Sequence, residues 1–159
     1  MPKTRSKHPT AIDLLKEDHD KVKKAFKEFE KMDRSDVETC RQLVRSVCDD
    51  LRVHTMLEEE IFYPAVREAI EDEDLMNEAA VEHETAKTLI EQIENMQPDD
   101  PNYFATFTVL GEYVQHHVKE EEGEMFPQAK KAELDLQALA EQIRARKEEL
   151  VAEVEKAAA

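Results

Sequence analysis

The sequence contains few of the residues that build turns and β-hairpins. Only two of its 159 residues are glycine, six are proline, and tryptophan is absent. Glycine and proline set the tight turns between β-strands, so their scarcity excludes most hairpin-rich folds. Glutamate, lysine, leucine and alanine, which favour helices, are abundant instead. The composition predicts an all-α protein, and a chain of this length is expected to form one domain.

Long apolar runs and an excess of basic residues are also missing. No stretch approaches the roughly 18 apolar residues of a membrane span, and no apolar segment follows the basic residues Lys3, Arg5 and Lys7 as it would in a signal peptide. The formal net charge of −16 would repel a nucleic-acid backbone or an anionic membrane surface. We therefore expect a cytoplasmic protein that has neither nucleic acid nor membrane as a partner.

The only two cysteines do not form a motif. Cys40 and Cys48 lie eight residues apart in a predicted helix. The corresponding rise of roughly 12 Å exceeds the Cα separation of a disulfide. We predict two free thiols without a catalytic role.

Apolar residues alternate at spacings of three and four in several segments, as they do on helices with one buried stripe. Four such segments, joined by short breaks, predict an up-and-down four-helix bundle over residues 10–130. The expected helices run over 10–32, with Thr10 as N-cap, over 37–62, from about 76 to 93, and from 103 to Pro127. Pro64 is expected to end or kink the second helix, because proline removes a backbone donor, with a short extension to Ile70.

The two ends of the chain are expected to lie outside the bundle. Residues 1–9 predict a flexible basic tail, and residues 131–159 predict an additional charged helix with a short apolar stripe. This helix either packs across the bundle or joins a partner helix, and the shortness of its stripe favours packing. The oligomeric state does not follow from the sequence.

Each of the four bundle stripes carries a metal-ligand type of side chain where the spacing calls for an apolar one. These residues are His19 in the first helix, His54 and Glu58 in the second, His83 in the third, and His117 and Glu121 in the fourth. Residues four apart on a helix differ by only about 40° in direction, so each His-x-x-x-Glu pair can aim two donor atoms at one spot. Burying these groups without partners would cost several kcal/mol each, and bound metal ions would turn them into ligands.

An internal repeat makes this pattern specific. A single histidine on a stripe is more often a hydrogen-bonded core residue, and His-x-x-x-Glu alone is weak evidence in so acidic a sequence. Here, however, two pairs of histidines are spaced 35 and 34 residues apart, with glutamate at +4 and an aromatic–proline pair at +9 and +10 in both halves. The aromatic–proline pairs are Tyr63-Pro64 and Phe126-Pro127. The repeat predicts a pseudo-twofold metal centre with two histidines and one glutamate from each half.

These motifs resemble the hemerythrin-like, or HHE cation-binding, family over nearly the whole bundle. The matching motifs are His19, His54-Thr-Met-Leu-Glu58, His83 and His117-Val-Lys-Glu-Glu121. The resemblance implies two irons bridged by the two glutamates, with histidines in terminal positions and an oxo or hydroxo bridge. Ferritin-like di-iron proteins use Glu-x-x-His instead and fit less well. The ligand types alone would also suit manganese or zinc.

The sequence departs from the oxygen-carrying hemerythrins at one position. Those proteins have a further histidine four residues after the third-helix ligand, where this chain has Lys87. A charged lysine is a poor ligand, so the resemblance implies an additional open or exchangeable position and argues against reversible oxygen storage. Tyr63 either supplies a phenolate in its place or is an aromatic plug in the core, and both interpretations stay open. His116 points about 100° away from His117 and is expected near the ligands or at the surface.

Six protein ligands cannot saturate two six-coordinate irons, so the centre is expected to accept O₂, peroxide or nitric oxide. The leading hypothesis is a non-haem di-iron protein that senses or detoxifies such oxidants. Its enzymatic version would be catalase-like peroxide disproportionation. One alternative is iron storage, delivery or iron-centre repair, which is weakened because the cysteine-bearing segment of some relatives is not expected before this bundle. The other is an interaction module with a structural metal or a partner-recruiting last helix.

Overall fold

The computed structural model describes residues 8–158, and within this range all regular secondary structure is helical. The predicted tail lies mostly outside the described residues. Seven α-helices and two π-helical segments follow in order: α1 (Ala11–Lys31), α2 (Val37–Leu57), the first π segment (Glu58–Phe62), α3 (Tyr63–Ala69), α4 (Glu73–Asn95), α5 (Tyr103–Glu120), the second π segment (Glu121–Met125), α6 (Phe126–Lys131) and α7 (Leu136–Ala158). The prediction of an all-α bundle with an additional C-terminal helix is confirmed.

Side-chain caps set the starts of the long helices. Thr10 and Asp13 form a reciprocal capping box, in which each side chain accepts a hydrogen bond from the other residue's backbone N–H. Asp36 caps α2, which begins at Val37 as predicted, and Asp72 caps α4. Because such a cap contributes about 1 kcal/mol, α4 begins at Glu73 inside the acidic stretch and not near Met76. The acidic first turn of α4 also suits the positive end of the helix dipole.

The two prolines widen their helices instead of ending them. The expected end at Pro127 is therefore wrong, whereas the expected short extension beyond Pro64 is present as α3, which ends at Ala69. The N–H of Tyr63 donates to the carbonyl of Glu58, five residues earlier, and the N–H of Phe126 donates likewise to Glu121. In a regular α-helix a proline ring would clash with the carbonyl four residues earlier, and the wider turn relieves this crowding. The chain then continues as α3 and α6.

The apolar core consists of two clusters, one toward each end of the bundle. The first core cluster contains Ile12, Leu15, Phe62 and Phe126, among others, and the second contains Phe26, Phe29, Phe107 and Leu110. Along their helices His19, His83 and Glu121 each fall between a member of one cluster and a member of the other. The helices therefore hold a polar layer in the middle of an otherwise apolar interior.

Helix α7 packs along α1 and α2, and its buried side chains Leu139, Ile143 and Leu150 join the first core cluster. It begins at Leu136, five residues after the start of the segment 131–159 that is predicted to form it. Residues 132–135 form the turn that separates it from α6, and Glu133 adopts a positive φ of 24° there. The α1–α2 face of the bundle is thus covered by a fifth long helix.

Both cysteines are buried and free, as predicted. Burial raises the pKa of the Cys48 thiol to about 12, so this thiol is unreactive at neutral pH. Among residues 8–158 no helix is both long enough and apolar enough to cross a membrane.

Candidate metal centre

All six predicted ligands meet in the polar layer of the bundle. They form two groups of four that share both glutamates, and in each group the potential ligand atoms lie within 4.8 Å of one another. We call the group of His19, His54, Glu58 and Glu121 the first subsite. The group of Glu58, His83, His117 and Glu121 is the second subsite.

The distances show how the glutamates lie between the subsites. Glu121 Oε1 lies 3.2 Å from His19 Nε2, and Glu121 Oε2 lies 3.1 Å from His117 Nε2. Glu58 Oε1 lies 3.0 Å from His54 Nε2 and 3.2 Å from His83 Nε2. Within each subsite the two histidine Nε2 atoms are 3.1 Å and 3.2 Å apart, respectively. Each carboxylate is therefore placed to bridge two ions, and all four histidines present the same nitrogen.

The other ring nitrogen of every histidine faces an outer carboxylate. Asp18 Oδ2 is 3.0 Å from Nδ1 of His54, and Glu82 Oε2 is 2.8 Å from Nδ1 of His117. The corresponding contacts join Glu122 to His19 at 3.4 Å and Glu59 to His83 at 3.8 Å. Hydrogen-bonded partners of this kind fix the orientation and the tautomer of ligand imidazoles, but the contact of Glu59 with His83 is too long for a hydrogen bond.

These outer carboxylates also occupy matching positions in the two halves of the internal repeat. Asp18 and Glu82 directly precede an upstream histidine, and Glu59 and Glu122 directly follow a shared glutamate. Their matched offsets were visible in the sequence, but the ring nitrogen that each one faces depends on helix packing.

Lys87 points away from the centre. Its Nζ lies 2.7 Å from Glu59 Oε1 and 3.2 Å from Glu84 Oε1, and its side chain is partly exposed. Although partial burial lowers the pKa of Lys87, these two carboxylates raise it above its usual value. Lys87 therefore remains charged and supports the outer carboxylate of His83. Lys23 lies at the repeat-related position, 3.8 Å from Glu122.

Tyr63 lies directly against the second subsite. Its hydroxyl oxygen is 3.0 Å from Nε2 of both His83 and His117, and the hydroxyl donates a short hydrogen bond to Glu121 Oε2. Burial raises the pKa of Tyr63 well above its usual range, and so do the Glu121 and Glu58 carboxylates. The repeat-related residue at the first subsite is Phe126, whose ring stacks on His19 with centroids 6.0 Å apart. Only one subsite is therefore lined by a phenol.

The first π segment explains why Tyr63 reaches the centre. In a regular α-helix, residues five apart point about 140° from each other, which would turn Tyr63 away from the direction of Glu58. The i→i+5 hydrogen bond of the π segment places these two residues one above the other. The second π segment does the same for Glu121 and Phe126.

The donor set fits bound metal ions. Both carboxylate oxygens of Glu58, one of Glu121, and Nδ1 of His83 are buried without a hydrogen-bond partner. Leaving such atoms unpaired costs several kcal/mol in total, whereas a cation would use the oxygens as ligands.

The electrostatics of the metal-free cluster support the same conclusion. Burial by itself would lower the pKa of His54, yet Glu58 and Asp18 raise it to about 10. The pKa of His117 is shifted in the same way: burial by itself would lower it, but Glu121 and Glu82 raise it to about 11. Without metal, protons thus balance the buried carboxylates. Metal binding would displace these protons, because histidine ligates in its neutral form.

A cavity of about 40 Å³ adjoins the centre on the side of the second core cluster. Ligand histidines from both subsites line it, and its apolar wall includes Val22, Leu51 and Val114. Pockets for organic substrates usually measure about 300–1,000 Å³. This cavity can therefore admit only a molecule of a few atoms.

His116 lies at the surface, with its side chain 73% exposed and its Nε2 atom 3.6 Å from Glu120. Together with Glu82 these residues form a third, partly exposed group of potential ligands. Unlike the two subsites, this group lies outside the buried layer.

Comparisons with known proteins agree with this architecture. Residues 10–129 match the model of the hemerythrin HHE cation-binding domain. A Nostoc sp. (strain PCC 7120) protein named DNA nickase is 31% identical over 114 residues, which make up 72% of this chain and 32% of that protein. The chain thus spans about a third of the length of this curated relative.

A solved structure shares the fold. The crystal structure of a hemerythrin HHE cation-binding domain-containing protein from Mycobacterium kansasii superposes with a TM-score of 0.76, at 23% sequence identity, over 89% of this chain and 87% of that chain. The fold and the family model, which covers most of the sequence, lead to one conclusion: the chain belongs to the hemerythrin HHE cation-binding domain family.

Proposed function

We propose that this chain is a non-haem di-iron protein that binds and reacts with O₂, peroxide or nitric oxide. The six side chains of the two subsites would hold the irons. The observation that carries this proposal is the pair of buried glutamates, Glu58 and Glu121, which face histidines of both subsites while several of their oxygens lack hydrogen-bond partners. A single ion would leave one pair of histidines without a role.

Iron is favoured by the family resemblance. Mixed imidazole and carboxylate ligands also suit manganese and zinc, so the donor set by itself does not select the metal. An iron pair bound there would supply reversible redox change and would attract small oxidants. The protein would hold the ligands in place, exclude larger molecules and restrict the access of water to the centre.

The two subsites are not equally able to accept an outside ligand. At the second subsite the Tyr63 hydroxyl already lies 3.0 Å from both histidine Nε2 atoms, so it can fill the position that Lys87 leaves empty. At the first subsite Phe126 offers no donor atom. We infer that the small oxidant binds at the first subsite, from the cavity beside Val22 and Leu51.

Metal analysis with visible spectroscopy tests the proposal. Protein purified without added metal is expected to contain about two irons per chain, with a visible absorption that changes when peroxide is added. In His54→Ala the iron content should fall and the peroxide response should be lost. His116→Ala is the matched control, because this exposed histidine lies outside both subsites, and it should behave like the wild type.

The other outcomes point to the alternatives. Protein that contains no iron, or that contains tightly held zinc and does not react with oxidants, would support a metal-stabilised interaction module. Iron that is bound and passed to an acceptor without reacting with oxidants would support storage, delivery or repair. Rapid O₂ release from peroxide, above the level of free iron, would make the protein an enzyme with catalase-like activity.

We propose further that duplex DNA is not a partner of this chain. The name DNA nickase belongs to a protein of which the matched region makes up only 32%. The net charge of −16 opposes contact with phosphates. Incubation of the iron-loaded protein with supercoiled plasmid at low salt should leave the plasmid intact and unshifted, and nicking would contradict the proposal. A cytoplasmic location stays a prediction.

A further inference from the structure

Helix α7 lies outside residues 10–129, which match the family model, yet it reaches the surroundings of the metal centre. Lys147 Nζ lies 2.5 Å from Asp18 Oδ1. The other oxygen of the same carboxylate, Oδ2, is 3.0 Å from Nδ1 of His54. Asp18 therefore connects a lysine of α7 to one of the histidines of the first subsite.

The geometry gives both oxygens of Asp18 a defined partner. The Asp18 side chain is 14% exposed, so its position is set mainly by these two contacts and not by water. A fixed, ionised carboxylate holds the proton on Nδ1 of His54 and leaves Nε2 free to face Glu58.

The repeat-related histidine of the second subsite, His117, has no lysine behind its outer carboxylate among the described contacts. Glu82 takes the place of Asp18 there and lies 2.8 Å from Nδ1 of His117. Besides His117, the Glu82 side chain contacts the carboxyl of Glu120 and not a lysine. The contact of Lys147 thus distinguishes two histidines that the repeat otherwise places in the same surroundings.

We propose that Lys147 is a positioning residue for the first subsite: by fixing Asp18 it orients His54, so that α7 sets how tightly this subsite holds its metal ion. This inference rests on the proposed function, because it concerns the ligands of that centre. It assigns to α7 a role in the metal site beyond its packing on the bundle.

The neighbouring residue on α7 provides a matched control. Arg146 Nε lies 2.8 Å from Glu60 Oε2, so it also ties α7 to the bundle through an ion pair. Glu60 is exposed and contacts no ligand histidine among the described contacts. Arg146→Met and Lys147→Met therefore remove similar links between α7 and the bundle, but only the second change affects Asp18.

The first experiment follows the release of iron from the loaded protein into an excess of chelator. In Lys147→Met one of the two ions should leave up to about tenfold faster, since loss of the group that contacts a ligand weakens metal binding by roughly 10–100-fold and Lys147 acts one contact further out. The other ion should leave at the wild-type rate. Arg146→Met should release both ions at the wild-type rates, and Lys147→Arg, which keeps the charge, should restore most of the retention.

The second experiment does not need metal. In the metal-free protein, NMR can follow the exchange of the Nδ1 protons of His54 and His117 with water. Lys147→Met should accelerate exchange at His54 severalfold and leave His117 unchanged, whereas Arg146→Met should change neither. A general loosening of the bundle would affect both histidines.

The outcomes separate the two proposals. If the wild type fails to hold two ions, the proposed function fails, and the exchange of the His54 proton still decides the role of Lys147. If Lys147→Met and Arg146→Met behave alike in both experiments, Lys147 only docks α7 and the inference is overturned. Loss of both ions at the same increased rate in Lys147→Met would overturn it as well.

Discussion

The first and second subsites have the same types of ligand and of outer carboxylate but differ in the other side chains around them. Each has two histidines, and they share the same two glutamates. The aromatic residue beside the first subsite is Phe126, while Tyr63 lies beside the second. The features that both halves repeat are those needed to hold a metal ion. The features that differ are those that would decide where a small molecule reacts.

The residues next to the ligands show the same contrast. Val53 and Leu57, which directly precede His54 and Glu58, are buried in the first core cluster together with side chains of α7. The corresponding residues before His117 and Glu121 are His116 and Glu120, on a face that α7 does not cover. The ligand motif thus has apolar neighbours on the half that α7 covers and polar neighbours on the other half. His116 does not face the centre because adjacent residues of a helix point about 100° apart.

The largest expected effect comes from a residue that the two subsites share. In Glu58→Gln both subsites lose a bridging carboxylate, and the iron content should fall from about two ions per chain to near zero. Metal analysis of the purified variant provides the measurement. Glu60→Gln, which alters an exposed carboxylate two residues away, should keep both ions. Retention of one full ion in Glu58→Gln would show that the subsites bind independently.

An intermediate effect is expected when the aromatic residues are exchanged between the subsites. Tyr63→Phe gives the second subsite the phenyl ring of the first, and a visible absorption that arises from phenolate bound to iron should disappear. The metal-free variant should also lose about 1–2 kcal/mol of unfolding free energy, because buried groups lose a donor. Visible spectra and urea unfolding measure these changes.

The converse substitution, which adds a phenol to the first subsite, tests the same difference between the subsites. Phe126→Tyr adds a hydroxyl beside His19, so the variant should keep the phenolate absorption while its response to peroxide slows. If Tyr63→Phe leaves the visible spectrum unchanged, Tyr63 is an aromatic plug of the core and the two subsites are more alike than we infer.

The smallest effect concerns the second π segment. Gly123 occupies the position that Glu60 has in the first π segment, and an added Cβ would meet no atom within 4 Å. Gly123→Ala should raise the unfolding free energy by up to about 1 kcal/mol, since alanine favours helices over glycine, without changing the iron content. Urea unfolding of the metal-free protein measures the gain.

The other glycine is the matched control. At Gly111 an added Cβ would lie 2.9 Å from Cδ1 of the buried Phe26 ring, so Gly111→Ala should lower the unfolding free energy. A loss of stability in Gly123→Ala would show that the second π segment needs a glycine for its geometry.

Much of the fold could be predicted from local rules. Helix periodicity fixes which residues share a face, so the stripes predicted that His19, His54, His83 and His117 would point inward. The structure places these side chains together, and their ligation of metal stays a prediction. The helix starts after Thr10 and Asp36 also followed from the sequence, because an N-cap acts within a few residues of itself.

The π segments could not be predicted in the same way. A proline inside a helical pattern predicts an end or a kink, and either outcome accommodates the carbonyl four residues earlier, which lacks its N–H donor. Packing on both sides of Pro64 keeps the chain helical, which leaves a wider turn as the way to relieve the crowding. The direction of Tyr63 depends on that turn, so the sequence left its role open.

By itself the sequence determined the class of fold, the six inward side chains and their pseudo-twofold arrangement, because helical spacing and an internal repeat are local properties of the chain. Only the tertiary structure decided the partner of each Nδ1 atom, the approach of Tyr63 to the second subsite and the contact of Lys147 with Asp18. These contacts join residues as far as 129 positions apart. They depend on how the helices pack, which spacing along the chain does not specify.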